Sequence, residues 1–194
     1  KEGGCNYILA LFIDFNDPGL IIYTSHRLIH AEFAESIEEI REKVSERFQC
    51  REIENVEDMK SIMEQNRDKH VFGCYFNDQF LLLRLKNSVR PEQLISGKHS
   101  DEWKKLNLPI LHEILFKDLG IEQEHITFVK GVKAGIEEVD KKPTISALFI
   151  VNPTKLEEVQ KITSLGEIMP QKSTYFYPKP LSGLVIHKHT DEIE

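Results

Sequence analysis

The chain has 194 residues, with 25 lysine and arginine residues against 32 aspartate and glutamate residues, and its net charge is −7. This acidic balance argues against binding to a nucleic-acid polymer or an anionic membrane surface. No apolar run approaches the roughly 20 residues that a membrane-spanning helix needs. We therefore expect a globular protein of one large domain that binds neither nucleic-acid polymers nor membranes.

The cysteines indicate a reducing compartment. Cys5, Cys50 and Cys74 are widely spaced and include no Cys-x-x-Cys pair, so neither a disulfide framework nor a thiolate zinc site is expected. Cys74 lies in an apolar run and is predicted to be a buried free thiol. His187 and His189 lack an evident third ligand, so we expect no metal site. A cytoplasmic location fits this pattern.

The first elements are predicted to be strands. The apolar run from Asn6 to Phe15 predicts a buried strand, and Asn16-Asp17-Pro18-Gly19 has the composition of a turn. A second strand is expected from Leu20 to about Ile29. Together they would form a hairpin.

Local capping and turn signals define the next elements. Ser36 with Glu39 predicts the capped start of one helix, and Asn55 predicts the start of another. Asn77-Asp78 separates two apolar runs, which predicts a tight hairpin between strands at 70–76 and 79–86.

The second half alternates predicted strands and helices. An apolar stripe predicts a helix at 110–119, and His112 on it is interpreted as a packed side chain rather than a ligand. The remaining predicted elements are a strand at 126–130, a helix at 132–139, a strand at 145–151, a helix capped by Thr154 with Glu157, and a last strand at 184–187. This order predicts a single compact domain of the α+β (mixed α/β) class, with helices packed on a largely antiparallel sheet.

A proline-rich stretch near the end, residues 169–186, carries the densest functional chemistry; we call it the C-terminal segment. Gln171-Lys172-Ser173-Thr174 places an ammonium beside two hydroxyls and several backbone amides, a combination suited to an anion. Tyr175 and the two aromatic residues after it, Phe176 and Tyr177, are expected to anchor the segment, with at least one ring largely buried. The alternative is that these hydroxyls only make local turn bonds.

The C-terminal segment resembles the signature of domain-of-unknown-function family 1015, a group of prokaryotic proteins. The run from Asp17-Pro18-Gly19-Leu20 to His26-Arg27-Leu28 also resembles the family, although Thr24-Ser25 stands where its usual pattern has Pro-Thr before His-Arg. The family's N-terminal Asp-Gly-His-His-Arg signature, similar to ParB-like nucleotide-handling domains, does not occur here. The resemblance implies that this chain is the C-terminal part of a longer protein and that the N-terminal domain of the same protein is one partner.

His26 and Arg27 form the second candidate site. The Arg27 guanidinium suits a carboxylate or phosphate, and His26 could carry a proton near neutral pH, although adjacent strand residues point to opposite faces. The alternative is that Arg27 pairs with a surface glutamate and His26 bonds to the backbone.

Two functions follow from these candidates. In the first, His26, Arg27 and residues 171–175 bind a small phosphorylated or carboxylated metabolite, or a nucleotide, within a larger enzyme such as a phosphotransferase. In the second, the chain is a regulatory or interaction module that docks on a partner domain or on a second copy as a homodimer. The sequence has no glycine-rich nucleotide loop, so the cofactor stays unknown.

Overall fold

The computed structural model describes residues 7–30 and 36–187. Residues 22–175 form a large compact unit, and the described parts of 1–21 and 176–194 form a second, smaller one. That the whole chain folds as one domain stays a prediction. No helix in the described ranges is long and apolar enough to cross a membrane.

The described residues contain eight strands and eight α-helices. The strands are β1 (Ile21–Tyr23), β2 (His26–Ile29), β3 (Phe48–Ile53), β4 (Val71–Phe76), β5 (Gln79–Leu85), β6 (Ile126–Val129), β7 (Ala147–Val151) and β8 (Tyr175–Tyr177). The helices are α1 (Ile37–Val44), α2 (Val56–Gln65), α3 (Pro91–Leu94), α4 (Asp101–Lys104), α5 (Asn107–Ile110), α6 (Phe116–Leu119), α7 (Val132–Lys141) and α8 (Leu156–Ser164). A π-helical turn (Leu111–Leu115) joins α5 to α6, and a 3-10 turn (Gln123–His125) precedes β6.

Six of the strands form one sheet in the order β3-β5-β4-β7-β2-β6, and every pair in it is antiparallel. Strands β1 and β8 form a separate two-stranded sheet. A local hairpin explains the β4–β5 pair, whereas β2 and β7 pair over a long sequence separation, with Ile29 opposite Ala147. The predicted mixed α+β class with a largely antiparallel sheet is confirmed.

Helices cover both faces of the large sheet. Alternate strand residues point to opposite faces, so each face has its own apolar core. Helix α1 and the stretch from α5 to α6 pack on the face that holds Ile29 and Phe149. Helices α2 and α7 pack on the other face, against Leu28 and Leu148.

Two predicted helix caps and the predicted hairpin turn are confirmed. The Glu39 amide donates to Ser36 Oγ at 3.2 Å, and the Asp58 amide donates to Asn55 Oδ1 at 2.9 Å, so both helix caps form as expected. Asn77 and Asp78 have φ angles of 47° and 59°, which is the left-handed pair that a two-residue hairpin turn requires.

Several predicted element boundaries are wrong. Residues 7–14 form no strand and expose their apolar side chains, including Ile8 at 84% and Phe12 at 93%. Their apolar pattern favours a strand, but no partner strand pairs with them in the part of the chain that the structure describes. The predicted strand at 184–187 is also absent, and the predicted strand at 20–29 is broken at Thr24-Ser25.

The start of α8 differs by one residue from its prediction. The Lys155 amide donates to Glu158 Oε2 at 2.8 Å, whereas the Thr154 hydroxyl donates to the Ser173 carbonyl at 2.9 Å. Thr154 therefore does not cap the helix, because its hydroxyl is used in a contact between distant parts of the chain.

The closest approach of a helix to the sheet lies at Gly135 of α7. A Cβ added there would lie 2.6 and 2.8 Å from the two δ-carbons of Leu148, which is fully buried. Gly135→Ala should gain about 1 kcal/mol of helix propensity but lose about 1–3 kcal/mol to overpacking, so the variant should be less stable. In a Leu148→Ala background the same change should instead be stabilising. Urea denaturation of the wild type, the two single variants and the double variant measures both effects. If Gly135→Ala changed the free energy of unfolding in the same direction in both backgrounds, this packing would be contradicted.

Candidate functional site

The site candidate in the large unit is a cavity of about 360 Å³, which we call the Lys172 cavity. Three parts of the chain form its wall: the helical region around α5, the β6 region and the start of the C-terminal segment. The lining residues are Trp103, Leu108, Pro109, His112, Glu113, Gln123, Phe128, Pro170, Gln171 and Lys172. The cavity thus combines aromatic rings with one lysine.

A tight turn brings Lys172 to the cavity. The Ser173 amide donates to the Pro170 carbonyl at 3.2 Å, and Lys172 between them has a φ of 57°, in the left-handed region. The Thr154 hydroxyl bonds to the Ser173 carbonyl, and Trp103 Nε1 donates to the Ile168 carbonyl at 3.0 Å. These bonds attach the turn to α8 on one side and to α4 on the other.

Arg27 lies immediately behind the cavity wall and is completely buried. Its Nε donates to His112 Nε2 at 3.3 Å, its Nη1 donates to the Ser25 carbonyl, and its guanidinium carbon lies 5.3 Å from the centre of the Phe128 ring. Its Nη2 has no hydrogen-bond partner among the described residues. Two of the groups that Arg27 contacts, His112 and Phe128, line the cavity.

His112 is held as a neutral imidazole. It accepts the Arg27 Nε–H at Nε2, and the Gln123 side chain also bonds to the ring. Burial and the neighbouring Arg27 charge lower the pKa of His112 to about 4. At neutral pH the uncharged imidazole therefore positions the Arg27 guanidinium and does not repel it.

The charge at the cavity is positive. Burial lowers the pKa of Arg27 to about 10, which leaves it protonated at neutral pH, and no described carboxylate forms an ion pair with it. Glu113 is the carboxylate in the cavity lining, and Lys117 already pairs with it at 2.6 Å. The charges of Arg27 and Lys172 are thus left uncompensated by the lining.

The structure brings part of the predicted site together. Gln171 and Lys172 line the cavity, and Ser173 lies buried behind them with its Oγ unpartnered among the described residues. Thr174 and Tyr175 are half-buried and do not line it. Tyr175 instead packs against Lys130, whose Nζ lies 3.9 Å from the ring centre.

His26 does not reach the cavity. It lies on the face of β2 that also carries Leu28, opposite to Arg27, and its Nδ1 accepts the Val151 amide at 3.3 Å. Burial, with Arg27 and Lys60 nearby, lowers the pKa of His26 to about 4. Its backbone bond matches the alternative that the sequence left open, whereas a surface glutamate partner for Arg27 is not found among the described residues.

Two wall residues do not follow from a sequence pattern. His112 packs against Phe116, as expected for a packed side chain, but it also lines the cavity, and Trp103 reaches the same wall only through the tertiary fold. Of the three aromatic residues expected to anchor the C-terminal segment, Tyr175 and Phe176 are partly buried and Tyr177 is 48% exposed, so the expected anchor, if one of these rings provides it, is Tyr175 or Phe176.

No cluster of three or more His, Cys, Asp or Glu side chains that could hold a metal ion occurs within residues 7–30 and 36–187. His189 lies outside the described residues, as does Cys5. Cys74 is buried and free, as predicted, and burial raises the pKa of its thiol.

The buried neutral histidines predict an acid-dependent loss of stability. The unfolded chain protonates a histidine near pH 6.5, but His26 in the fold resists protonation until about pH 4. Stability should therefore fall as the pH is lowered from 6.5 to 4. His26→Gln should reduce that slope by up to about 1.4 kcal/mol per pH unit, with the contribution of His112 remaining. Urea denaturation at several pH values measures it, and an unchanged slope would contradict a neutral, buried His26.

Solved structures show partial similarity to this chain. A free serine kinase mutant in complex with ADP is 17% identical, with a TM-score of 0.44, and the match covers 95% of this chain and 62% of the kinase chain. A free serine kinase in complex with AMP is 16% identical, with a TM-score of 0.45, and covers 95% and 61%. A conserved hypothetical protein from Pyrococcus furiosus is 17% identical, with a TM-score of 0.44, and covers 86% and 60%. The present chain thus spans less than two thirds of the length of each.

No curated protein matches the sequence. The family described as protein of unknown function (DUF1015) matches residues 1–109. The matched residues include the His26-Arg27 stretch but not the C-terminal segment, whose likeness to the family stays a prediction. The family match covers more than half of this chain, so the chain belongs to the DUF1015 family.

Proposed function

We propose that this chain binds a small phosphorylated or carboxylated metabolite in the Lys172 cavity. The observation that carries the proposal is the buried Arg27 cation, which has no described carboxylate partner and contacts two residues of the cavity wall. Retaining an unpaired buried charge costs several kcal/mol of folding stability. An anionic ligand in the cavity would offset that cost.

Lys172 supplies the second positive charge at the ligand. It occupies a left-handed backbone position that most residues avoid, so the turn holds its side chain at the wall. Gln171 beside it offers an amide that can donate to an oxygen of the ligand. In a protein of net charge −7, a lysine in the cavity lining and a buried arginine behind it create a local positive field.

The aromatic wall limits what else the ligand carries. Trp103 and Phe128 both line the cavity, and one face of the Trp103 indole is stacked on His99, with ring centres 3.9 Å apart. A cavity of this size and lining suits a small molecule with an apolar or planar body and one anionic end. An adenine nucleotide belongs to this class of molecule.

We further propose that the binding domain serves a larger enzyme of the phosphotransferase class, with the N-terminal domain of the same protein completing the active site. Within the described residues, His112 accepts from Arg27 at Nε2 and bonds to the Gln123 side chain, and Glu113 is paired with Lys117. The cavity therefore supplies binding groups, and a proton acceptor for phosphoryl transfer would come from that other domain.

Calorimetric titration with inorganic phosphate, AMP and ADP tests the binding function. Lys172→Ala should weaken the binding of at least one of these probes about tenfold or more, which corresponds to roughly 1.4 kcal/mol. Arg27→Met should also weaken it, yet the protein should keep or gain stability, because an apolar side chain of similar volume replaces a buried charge. Opposite effects on affinity and stability would mark Arg27 as a binding residue.

Two controls make the result specific. Lys133→Ala removes an exposed charge outside the cavity and should leave the affinity unchanged. Lys172→Gly removes the charge but suits the left-handed turn, so it should lose affinity while the free energy of unfolding changes by less than about 1 kcal/mol. Unchanged affinity in both Lys172 variants, or an equal loss in Lys133→Ala, would contradict the proposal.

A second candidate function is an interaction module. The smaller unit exposes many apolar side chains, a pattern that favours contact with another protein surface. These exposed residues include Ile8, Leu11, Phe12, Leu181, Leu184, Val185 and Ile186. A second copy of the chain is the simplest partner for such a surface.

Light scattering after size-exclusion chromatography tests this candidate. The chain should form a dimer at micromolar concentration, and Leu184→Glu, which places a charge on the exposed apolar surface, should shift it to a monomer. Lys133→Glu is the control, since it changes an exposed residue of the larger unit. A monomeric wild-type chain would exclude docking on a second copy.

A further inference from the structure

A second cavity, of about 480 Å³, lies at the end of the β4–β5 hairpin in the large unit; we call it the Arg90 cleft. It shares no lining residue with the Lys172 cavity. Its lining residues are Asp68, Lys69, His70, Leu85, Lys86, Asn87, Val89, Arg90, Pro91, Glu92 and Lys105. Four of these side chains are cationic and two are carboxylates.

The cations of the cleft outnumber its carboxylates four to two, and Oε2 of Glu92 is buried without a hydrogen-bond partner among the described residues. Asp68 pairs at 2.5 Å with Lys155, which lies outside the lining, and Glu92 lies 3.9 Å from Lys105. Lys69, Lys86 and Arg90 form no ion pair with a described carboxylate. The cleft therefore carries an excess of positive charge although the whole chain is acidic.

The three cations bond to neutral oxygen atoms instead. Lys69 Nζ donates to Asn66 Oδ1 at 3.2 Å, Lys86 Nζ donates to the Ser45 carbonyl, and Arg90 Nη1 donates to the Asn87 carbonyl at 2.7 Å. Such bonds fix the positions of the side chains but leave their charge uncompensated. Each group still has donors that an anion can accept, since an ammonium has three and a guanidinium five.

The frame of the cleft is held by hydrogen bonds. The Leu85 amide donates to the His70 carbonyl at 2.9 Å, the Val89 amide donates to the Lys86 carbonyl at 3.0 Å, and the His70 ring bonds to Asn107 at 2.9 Å. The cations thus project from the end of a paired hairpin and from one turn that follows it. This arrangement keeps like charges close together before any ligand arrives.

We propose that the Arg90 cleft is a second ligand site, which binds a small polyanion with two or more phosphate or carboxylate groups. Three cations spread around one cavity match separated anionic groups better than a single one, because each group then meets its own cation. This inference is independent of the proposed function, since neither Arg27 nor Lys172 belongs to the cleft.

Calorimetric titration with pyrophosphate and with citrate tests the site, and inorganic phosphate serves as the single-anion comparison. Pyrophosphate or citrate should bind more tightly than phosphate. Arg90→Gln and Lys86→Gln should each weaken that binding about three- to tenfold, and added salt should weaken it further. The identity of the better probe distinguishes a phosphorylated from a polycarboxylate ligand.

The controls separate this site from the other cavity and from net charge. Lys133→Gln removes one exposed charge elsewhere and should retain wild-type affinity for pyrophosphate and citrate, whereas Arg90→Gln, which leaves the Lys172 cavity unchanged, should retain wild-type affinity for AMP. Arg90 is exposed, so its replacement should leave the fold intact, which circular dichroism verifies. No difference between phosphate and the polyanions, or an equal loss in Lys133→Gln, would overturn the proposal.

Discussion

The buried guanidinium of Arg27 is the constraint on which the candidate site depends. A charge removed from water costs several kcal/mol unless other groups replace its hydration. Here the replacements are the His112 imidazole, the Ser25 carbonyl and the Phe128 ring. Ser25 lies in the break between β1 and β2, His112 in the π-helical turn, and Phe128 in the edge strand β6. The contacts of this one cation therefore connect three distant parts of the chain.

The neutral state of His112 determines what the site can do chemically. A protonated imidazole would repel Arg27, whereas the neutral ring accepts its Nε–H. Because Nε2 accepts from Arg27 and the Gln123 side chain also bonds to the ring, the imidazole is engaged by protein groups on the cavity wall. His112 is therefore a positioning residue in this arrangement, and the groups left to meet a ligand directly are Lys172, Gln171 and the aromatic wall.

The predictable parts of the molecule are those whose cause lies within a few residues. Ser36, Asn55 and the Asn77-Asp78 turn act on neighbouring amides, so their roles can be inferred from sequence. Thr154 has an equally good capping composition, but its hydroxyl bonds to Ser173 instead, a contact that no local pattern reveals. The Lys172 cavity likewise depends on distant contacts. The local chemistry around Lys172 indicates a site, but His112 and Trp103 join the same cavity wall only through the tertiary fold. At residues 7–14 a local pattern predicts a strand that does not form, because apolar composition alone does not provide a strand to pair with.

The strand order of the large sheet also has a consequence for how the chain folds. Strands β4 and β5 are joined by a two-residue turn, and β3 and β5 pair across fewer residues than β2 and β7 do, so these contacts close smaller loops. Strand β2 must wait for β6 and β7, because residues 27–29 pair with residues 126–128 and 147–149. Closing such long loops costs more entropy and slows folding. The half of the sheet that carries Arg27 therefore assembles late, and during synthesis on the ribosome the guanidinium stays in water until β7 has emerged.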